Sequence, residues 1–162
     1  MSVQAIQFTQ EQARALTGVT PAAVRHWRRV IPYLALKSGK SARFTFADLV
    51  GLAITGQLVA SFGVRIAEFA DGIDSLFRAL SAAKPSRLEE HIAVIAHNDG
   101  RLYLLEDLTQ DSGEFWRREV PDNALVVRCA PHIARMRSQM VPFVSGMEQP
   151  NLPFSPQAIG TK

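Results

Sequence analysis

The sequence LTGVTPAAVRHWRR, at residues 16–29, contains a helix end, a tight turn and the beginning of a second helix. Gly18 supplies the positive φ angle that the C-terminus of a helix often needs. Thr20 is a preferred residue for the N-cap of the next helix. Pro21 fits the first turn of that helix because its missing N–H would be unpaired there in any case. The pattern predicts two helices separated by about three residues.

Upstream of this stretch, Thr9 and Gln12 have the spacing of a capping box, so a first helix is expected to begin there and to end near Leu16. The second helix has two different sides at helical spacing. Its apolar side carries Ala23, Val24, Trp27, Val30 and Ile31. Its opposite side carries Ala22, Arg25, His26 and Arg29. Two short helices around a glycine turn, with basic residues facing outward on the second, predict a helix-turn-helix whose second helix fits the major groove of DNA.

The charge pattern supports the same prediction. The net charge of +3 is the sum of +4 over residues 1–80 and −1 over residues 81–162. Between Glu11 and Asp48 there is no carboxylate. The basic residues of this window are Arg14, Arg25, Arg28, Arg29, Lys37, Lys40 and Arg43. A one-signed stretch within a folded region indicates a polyanionic partner, and a solvated basic face without a partner is the alternative.

After Pro32, residues 33–44 are predicted to form a two-stranded hairpin, or wing, with its tip at residues 38–40 and Arg43 at its exit. Thr45 and Asp48 then have the spacing that opens a third helix, over about residues 46–60. This helix is apolar nearly all round, so it must be covered on more than one side.

A fourth helix is expected over about residues 64–80, with a continuous apolar seam. We expect this seam to serve in part as the inner face of the domain and in part as a dimer contact. The predicted dimer seam comprises Ile66, Phe69, Ile73, Leu76, Phe77 and Leu80.

The order of these features resembles the MerR-like winged-helix family of bacterial regulators. The matching stretches are LTGVTPAAVRHWRR (16–29), ARFTFADL (42–49) and QLVASFGVRIAEF (57–69). The resemblance covers roughly residues 6–75. It implies sequence-specific binding of double-stranded DNA by a homodimer. The chain departs from the family pattern because Pro85 ends the helical pattern early, and because its single cysteine does not suit a thiolate metal sensor.

The resemblance places Arg25 and Arg43 near phosphates, and Ala22, His26 and Arg29 near the groove. Arg28 lies on the flank of the second helix, where a solvated position or a contact with the DNA backbone fits better than base readout. The complete candidate DNA-binding set is Arg14, Thr20, Ala22, Arg25, His26, Arg28, Arg29, Lys37, Lys40 and Arg43.

The C-terminal half predicts a small ββ(x)βα unit. Residues 91–97 and 101–105 are expected to pair around the turn Asn98-Asp99-Gly100, and residues 124–129 form a third strand. A helix is expected from Pro131. The fold class is therefore α+β. The predicted divisions are a winged helix-turn-helix domain (1–83), a small α+β domain for assembly or sensing (88–140) and a Pro-rich tail (141–162) that is extended or disordered.

The sequence holds no motif that predicts catalysis. It has no phosphate-binding glycine loop, no nucleophile elbow and no histidines at metal-ligand spacing. Cys129 is expected to be a buried small hydrophobe. We therefore expect no enzymatic activity, no cofactor and no metal. No signal peptide or membrane span is recognised, which predicts a cytoplasmic, nucleoid-associated bacterial protein.

The leading hypothesis from the sequence is a homodimeric transcription regulator, and it leaves a small-molecule or protein effector open. One alternative is a phage or mobile-element accessory protein of the excisionase kind, which would bend DNA beside a recombinase. Another is a protein-interaction module that uses the apolar third helix and the seam and does not bind nucleic acid.

Overall fold

The computed structural model describes residues 6–39, 42–96, 101–106, 118 and 123–145. The chain is a mixed helix and sheet structure of the α+β class. Its helices are α1 (Gln10–Thr17), α2 (Pro21–Val30), α3 (Pro32–Ala35), α4 (Phe46–Phe62), α5 (Ala70–Ala82) and α6 (Cys129–Ser145), with a 3₁₀ helix at Pro85–Glu90. Its strands are β1 (Gln7–Phe8), β2 (Phe44–Thr45), β3 (His91–Ala96), β4 (Leu102–Glu106) and β5 (Ala124–Arg128).

The predicted helix ends are confirmed at the level of hydrogen bonds. Thr9 and Gln12 make both bonds of a capping box at the start of α1. Gly18 ends α1 in the left-handed conformation, with φ of 73°. The hydroxyl of Thr20 caps α2 by accepting from the backbone N–H of Ala23 at 3.2 Å. These local signals fix a three-residue turn between α1 and α2.

Two antiparallel sheets are present in the described residues. In the smaller one β1 pairs with β2, with Phe8 opposite Phe44. The larger one has the strand order β4-β3-β5, and every residue of its central strand β3 is buried. The predicted pairing of residues 91–97 with residues 101–105 is confirmed by β3 and β4, and the predicted third strand is confirmed by β5. The predicted turn at residues 98–100 lies outside the described residues.

The predicted hairpin over residues 33–44 is wrong. Its first part is the short helix α3, and Phe44 pairs with β1. Tyr33 explains the difference: its backbone N–H donates to Asp74 Oδ1 at 2.6 Å, and its hydroxyl donates to Asp48 Oδ1 at 2.8 Å. Its ring also stacks on Phe77, with the ring centroids 5.4 Å apart. These contacts hold the start of the segment against α4 and α5, where it forms a helical turn in place of a strand.

The third predicted helix is α4, and it is covered on several sides as its composition requires. Helices α1, α5 and α6 all pack against it. Gly51 permits the close approach of α5, because a Cβ atom there would lie 2.5 Å from Cε1 of Phe77. The helix begins at the capping box of Thr45 and Asp48 and ends at Gly63, which has φ of 65°.

The fourth predicted helix begins later than expected, since residues 66–68 form a turn and α5 starts at Ala70. The dimer seam assigned to this helix is wrong, because its side chains lie in the core of the single chain. Each of the following is at most 8% exposed: Ile66, Phe69, Ile73, Leu76, Phe77 and Leu80.

The buried side chains form one hydrophobic cluster from Phe8 to Met136. The predicted boundary between residues 83 and 88 therefore does not separate two cores. Helix α6 begins at Cys129 and continues to Ser145, so the extended tail predicted from residue 141 is wrong for its first five residues. Residues 146–162 lie outside the described part of the chain.

Cys129 is fully buried, as expected. Burial raises the pKa of its thiol to about 12. In the described part of the chain, we find no helix with the length and apolar character needed to cross a lipid bilayer.

Candidate nucleic-acid interface

Helix α2 divides into a buried side and an exposed side. Val24 and Trp27 are only 5% and 4% exposed and anchor the helix in the core. The opposite side is exposed at the four predicted positions, Ala22, Arg25, His26 and Arg29. Since these positions follow the spacing i, i+3, i+4 and i+7, they form one continuous stripe on the surface.

Two further arginines are exposed on elements that contact α2. Arg14 lies on α1 and lines a shallow surface depression together with Pro21 at the start of α2. Arg43 directly precedes Phe44, whose ring contacts the guanidinium of Arg28 on α2. Among the described residues, no ion pair is formed by Arg14, Arg25, Arg29 or Arg43. Their guanidinium groups are therefore exposed and have no counterion in the part of the chain that the structure describes.

Arg28 belongs to the candidate set but turns inward. Its Nη1 donates to Oε1 of Gln10 at 3.3 Å, and its guanidinium lies 5.7 Å from the ring centroid of Phe44. The Nε and Nη2 atoms are buried and have no hydrogen-bond partner in the described part of the chain. Burial lowers the pKa of Arg28. This side chain joins α2 to α1 and β2, so we remove it from the residues available to DNA.

Lys37 is also removed from the set, because it forms an internal ion pair. Its Nζ lies 2.6 Å from Oδ2 of Asp48, a carboxylate whose side chain is fully buried. The same ammonium lies 5.2 Å from the ring centroid of Tyr33. Asp48 bounds the carboxylate-free window, and its role as the partner of Lys37 was not predicted. Lys40 lies outside the described residues.

Thr20 is exposed at the start of α2, and its hydroxyl is already engaged as the helix cap. Of the candidate residues, the structure leaves Arg14, Thr20, Ala22, Arg25, His26 and Arg29 exposed at the first two helices, and Arg43 exposed directly before β2.

A cavity of about 920 Å³ lies on the inner side of α2, and it was not predicted from the sequence. It is lined by residues that are far apart in sequence, such as Trp27, Gln57 and His132. No local motif links these positions, so the signal appears only when the helices pack. Among the described residues, we find no group of three or more histidine, cysteine or carboxylate side chains arranged to hold a metal.

Comparison with known protein families gave no match for this chain, and neither did a search of curated protein sequences.

Proposed function

We propose that this protein is a sequence-specific DNA-binding transcription regulator, with α1 and α2 as a MerR-like helix-turn-helix and α2 as its recognition helix. The segment from α3 to β2 takes the place of a wing and carries Arg43 at its end. The observation that carries the proposal is a set of four exposed arginines, Arg25 and Arg29 on α2 and Arg14 and Arg43 on neighbouring elements. Four exposed arginines form no ion pair among the described residues, which is the arrangement that a polyanion neutralises.

The residues have different roles in this proposal. Arg14, Arg25 and Arg43 neutralise phosphates, which fixes the position of the protein on the duplex. His26 and Arg29 lie further along the exposed stripe of α2 and reach the base edges in the major groove. Ala22 is small enough to permit close approach of the helix to the groove.

The proposal includes a homodimer on paired half-sites, since symmetric dimers are the commonest oligomers and helix-turn-helix half-sites are usually paired. The contact between the two copies must use a surface other than the α5 seam, because that seam is buried within one chain. Light scattering of the free protein and of its DNA complex measures this assembly directly.

The experiment that tests the proposal is selection of bound duplexes from a random pool with the purified full-length protein. We expect one enriched motif, repeated with a fixed spacing when two copies bind. Because binding releases counterions from the phosphates, the affinity for the selected duplex should fall steeply with salt. If no motif is enriched, the protein is not a sequence-specific regulator.

Three variants separate the proposed roles. Arg25→Ala should weaken binding to all duplexes and reduce the salt slope by about 1, as expected for the loss of one phosphate contact. Arg29→Ala and His26→Ala should change the selected motif. Arg65→Ala is the matched control, since Arg65 is exposed and lies outside the carboxylate-free window.

Two outcomes would point to the other functions considered from the sequence. Strong bending of the duplex together with weak sequence preference would favour an accessory protein of the excisionase kind. Absence of retention on DNA or heparin at low salt would favour a protein-interaction module. The seam on α5 and most of α4, which were first considered for such a module, are buried in the core, so it would have to use another face.

A further inference from the structure

The cavity on the inner side of α2 has walls from both halves of the sequence. The turn between α1 and α2, the inner side of α2, and α4 form one wall, and β5 with the start of α6 forms the other. Much of the lining is apolar and includes Val19, Trp27 and Val126. Its volume of about 920 Å³ lies in the range of roughly 300–1,000 Å³ that is typical of pockets for small organic molecules.

The cavity is also polarised by charge. Arg128 at the end of β5 and Arg135 on α6 both line it, and both are exposed enough to reorient toward a ligand. Among the described lining residues there is no aspartate or glutamate. Two guanidinium groups beside an apolar wall, without a carboxylate to neutralise them, complement a ligand with an apolar body and an anionic end.

His132 holds this polar side of the cavity in place. It is 7% exposed, and its Nε2 lies 2.6 Å from Oε1 of Gln57 on α4. Since an amide oxygen can only accept, Nε2 carries the proton and donates, which leaves Nδ1 to accept from Nη2 of Arg135 at 3.4 Å. Burial, with a smaller contribution from Arg135, lowers the pKa of His132 and keeps the ring neutral. The positive charge at the cavity therefore belongs to the arginines.

We propose that this cavity binds a small amphipathic anion, whose apolar body packs near Trp27 and whose carboxylate or sulfonate pairs with Arg128 and Arg135. A planar guanidinium can bind such a group through two parallel hydrogen bonds. This site goes beyond DNA binding and does not depend on it, because Trp27, Arg128 and Arg135 lie outside the proposed interface, although Thr20 of that interface also lines the cavity.

The probe is 8-anilinonaphthalene-1-sulfonate, and its neutral counterpart is N-phenyl-1-naphthylamine, which lacks the sulfonate. Both are titrated into the full-length protein carrying Trp116→Phe, so that Trp27 is the remaining tryptophan. We expect the sulfonate to bind with a stoichiometry of one and to quench Trp27. The neutral compound should bind at least about tenfold more weakly, since hydrogen bonds to charged groups make a contribution of that size.

Two variants locate the anionic group. Arg135→Ala and Arg128→Ala should each weaken the sulfonate about tenfold and leave the neutral compound unchanged. Arg137→Ala is the matched control, because Arg137 lies on the same helix, pairs with Glu89 and does not line the cavity. Near-ultraviolet circular dichroism checks that each variant is folded.

Several results would overturn the proposal. These are equal affinity for the two compounds, or retention of sulfonate binding in both alanine variants. If an alanine variant does not fold, the salt dependence of sulfonate binding is measured on the protein with both arginines intact. Binding of the sulfonate that does not weaken with added salt would also overturn the proposed anion site. If the protein is a dimer and the substitution Val126→Lys dissociates it, a second copy of the chain covers the cavity. That result would also contradict a small-molecule site.

Discussion

At the scale of single residues, Asp48 is the carboxylate on which three segments converge. It caps α4 by accepting from the backbone N–H of Thr45 at 2.7 Å, and it also accepts from the Tyr33 hydroxyl and the Lys37 ammonium. Its residue exposure is 1%. A buried charge of this kind is tolerated because its oxygens are fully engaged by donors.

We expect Asp48→Ala to reduce the free energy of unfolding by about 3 kcal/mol, because it leaves the Lys37 ammonium and the Tyr33 hydroxyl without their acceptor. Urea denaturation measures the change. The control is Asp71→Ala, an exposed carboxylate in the first turn of α5, which should change stability by no more than about 0.5 kcal/mol. Equal effects of the two substitutions would show that the buried pair contributes little.

His132 gives the stability a dependence on pH. Burial lowers its pKa in the folded state from the ordinary value of 6.5, so below that pH the unfolded chain binds the proton first. Stability should be complete above pH 6.5 and fall as the pH decreases toward the folded pKa, by at most about 1.4 kcal/mol per pH unit. His132→Gln keeps a donor for Gln57 and removes the titrating ring. The decrease in stability between pH 7 and pH 5.5 that is due to His132 should therefore be absent in this variant. A parallel decrease in both proteins would contradict the assignment.

At the scale of secondary-structure elements, the contact between α4 and α5 depends on Gly51. A methyl group at that position would approach Cε1 of Phe77 to 2.5 Å, and Phe77 is itself fixed by stacking on Tyr33. We expect Gly51→Ala to cost about 1–3 kcal/mol as an overpacked core. Gly56→Ala on the same helix meets Val19 Cγ2 at 3.1 Å, a milder contact, and should cost less. The stabilities of the two variants are compared by thermal unfolding. Equal losses of stability would show that the Phe77 side chain moves to accommodate the added methyl group.

Elements with local signals were predictable from the sequence. The ends of α1, α2 and α4 follow from Thr9, Gly18, Thr20 and Thr45, because caps depend on residues within one turn. The short apolar runs with β-branched residues and the turn residues between them likewise predicted the strands of the larger sheet.

Elements that depend on distant partners were not predictable. Tyr33 is held by Asp74, which is 41 residues away, so the apolar alternation of its segment suggested strands where packing produces a helical turn. The seam on α5 has the same pattern whether it faces a partner or its own core, and only the packed structure distinguishes the two. In the candidate interface, the exposed arginines of α2 were predictable from helical spacing, whereas the inward turn of Arg28 and the pairing of Lys37 were not.

At the scale of the whole molecule, one hydrophobic cluster connects the N-terminal helices to the sheet and α6. We expect both halves to unfold in a single transition. Trp27 fluorescence in the Trp116→Phe protein reports on unfolding of the N-terminal half. Alkylation of Cys129 reports on unfolding of the C-terminal half, because Cys129 is buried and is the only cysteine of the chain. The two urea midpoints should coincide. Alkylation of Cys129 at a lower urea concentration than the loss of the Trp27 signal would show that the halves unfold separately.

The common core also bears on how such a protein can change in evolution. Domains can be exchanged between proteins when their boundary falls in a linker that few contacts cross. In this chain, α4 and α5 pack against β4 and α6, so recombination after residue 83 would expose apolar faces on both products. The N-terminal helices and the C-terminal half would therefore be inherited together and would diversify by substitution at their shared surfaces.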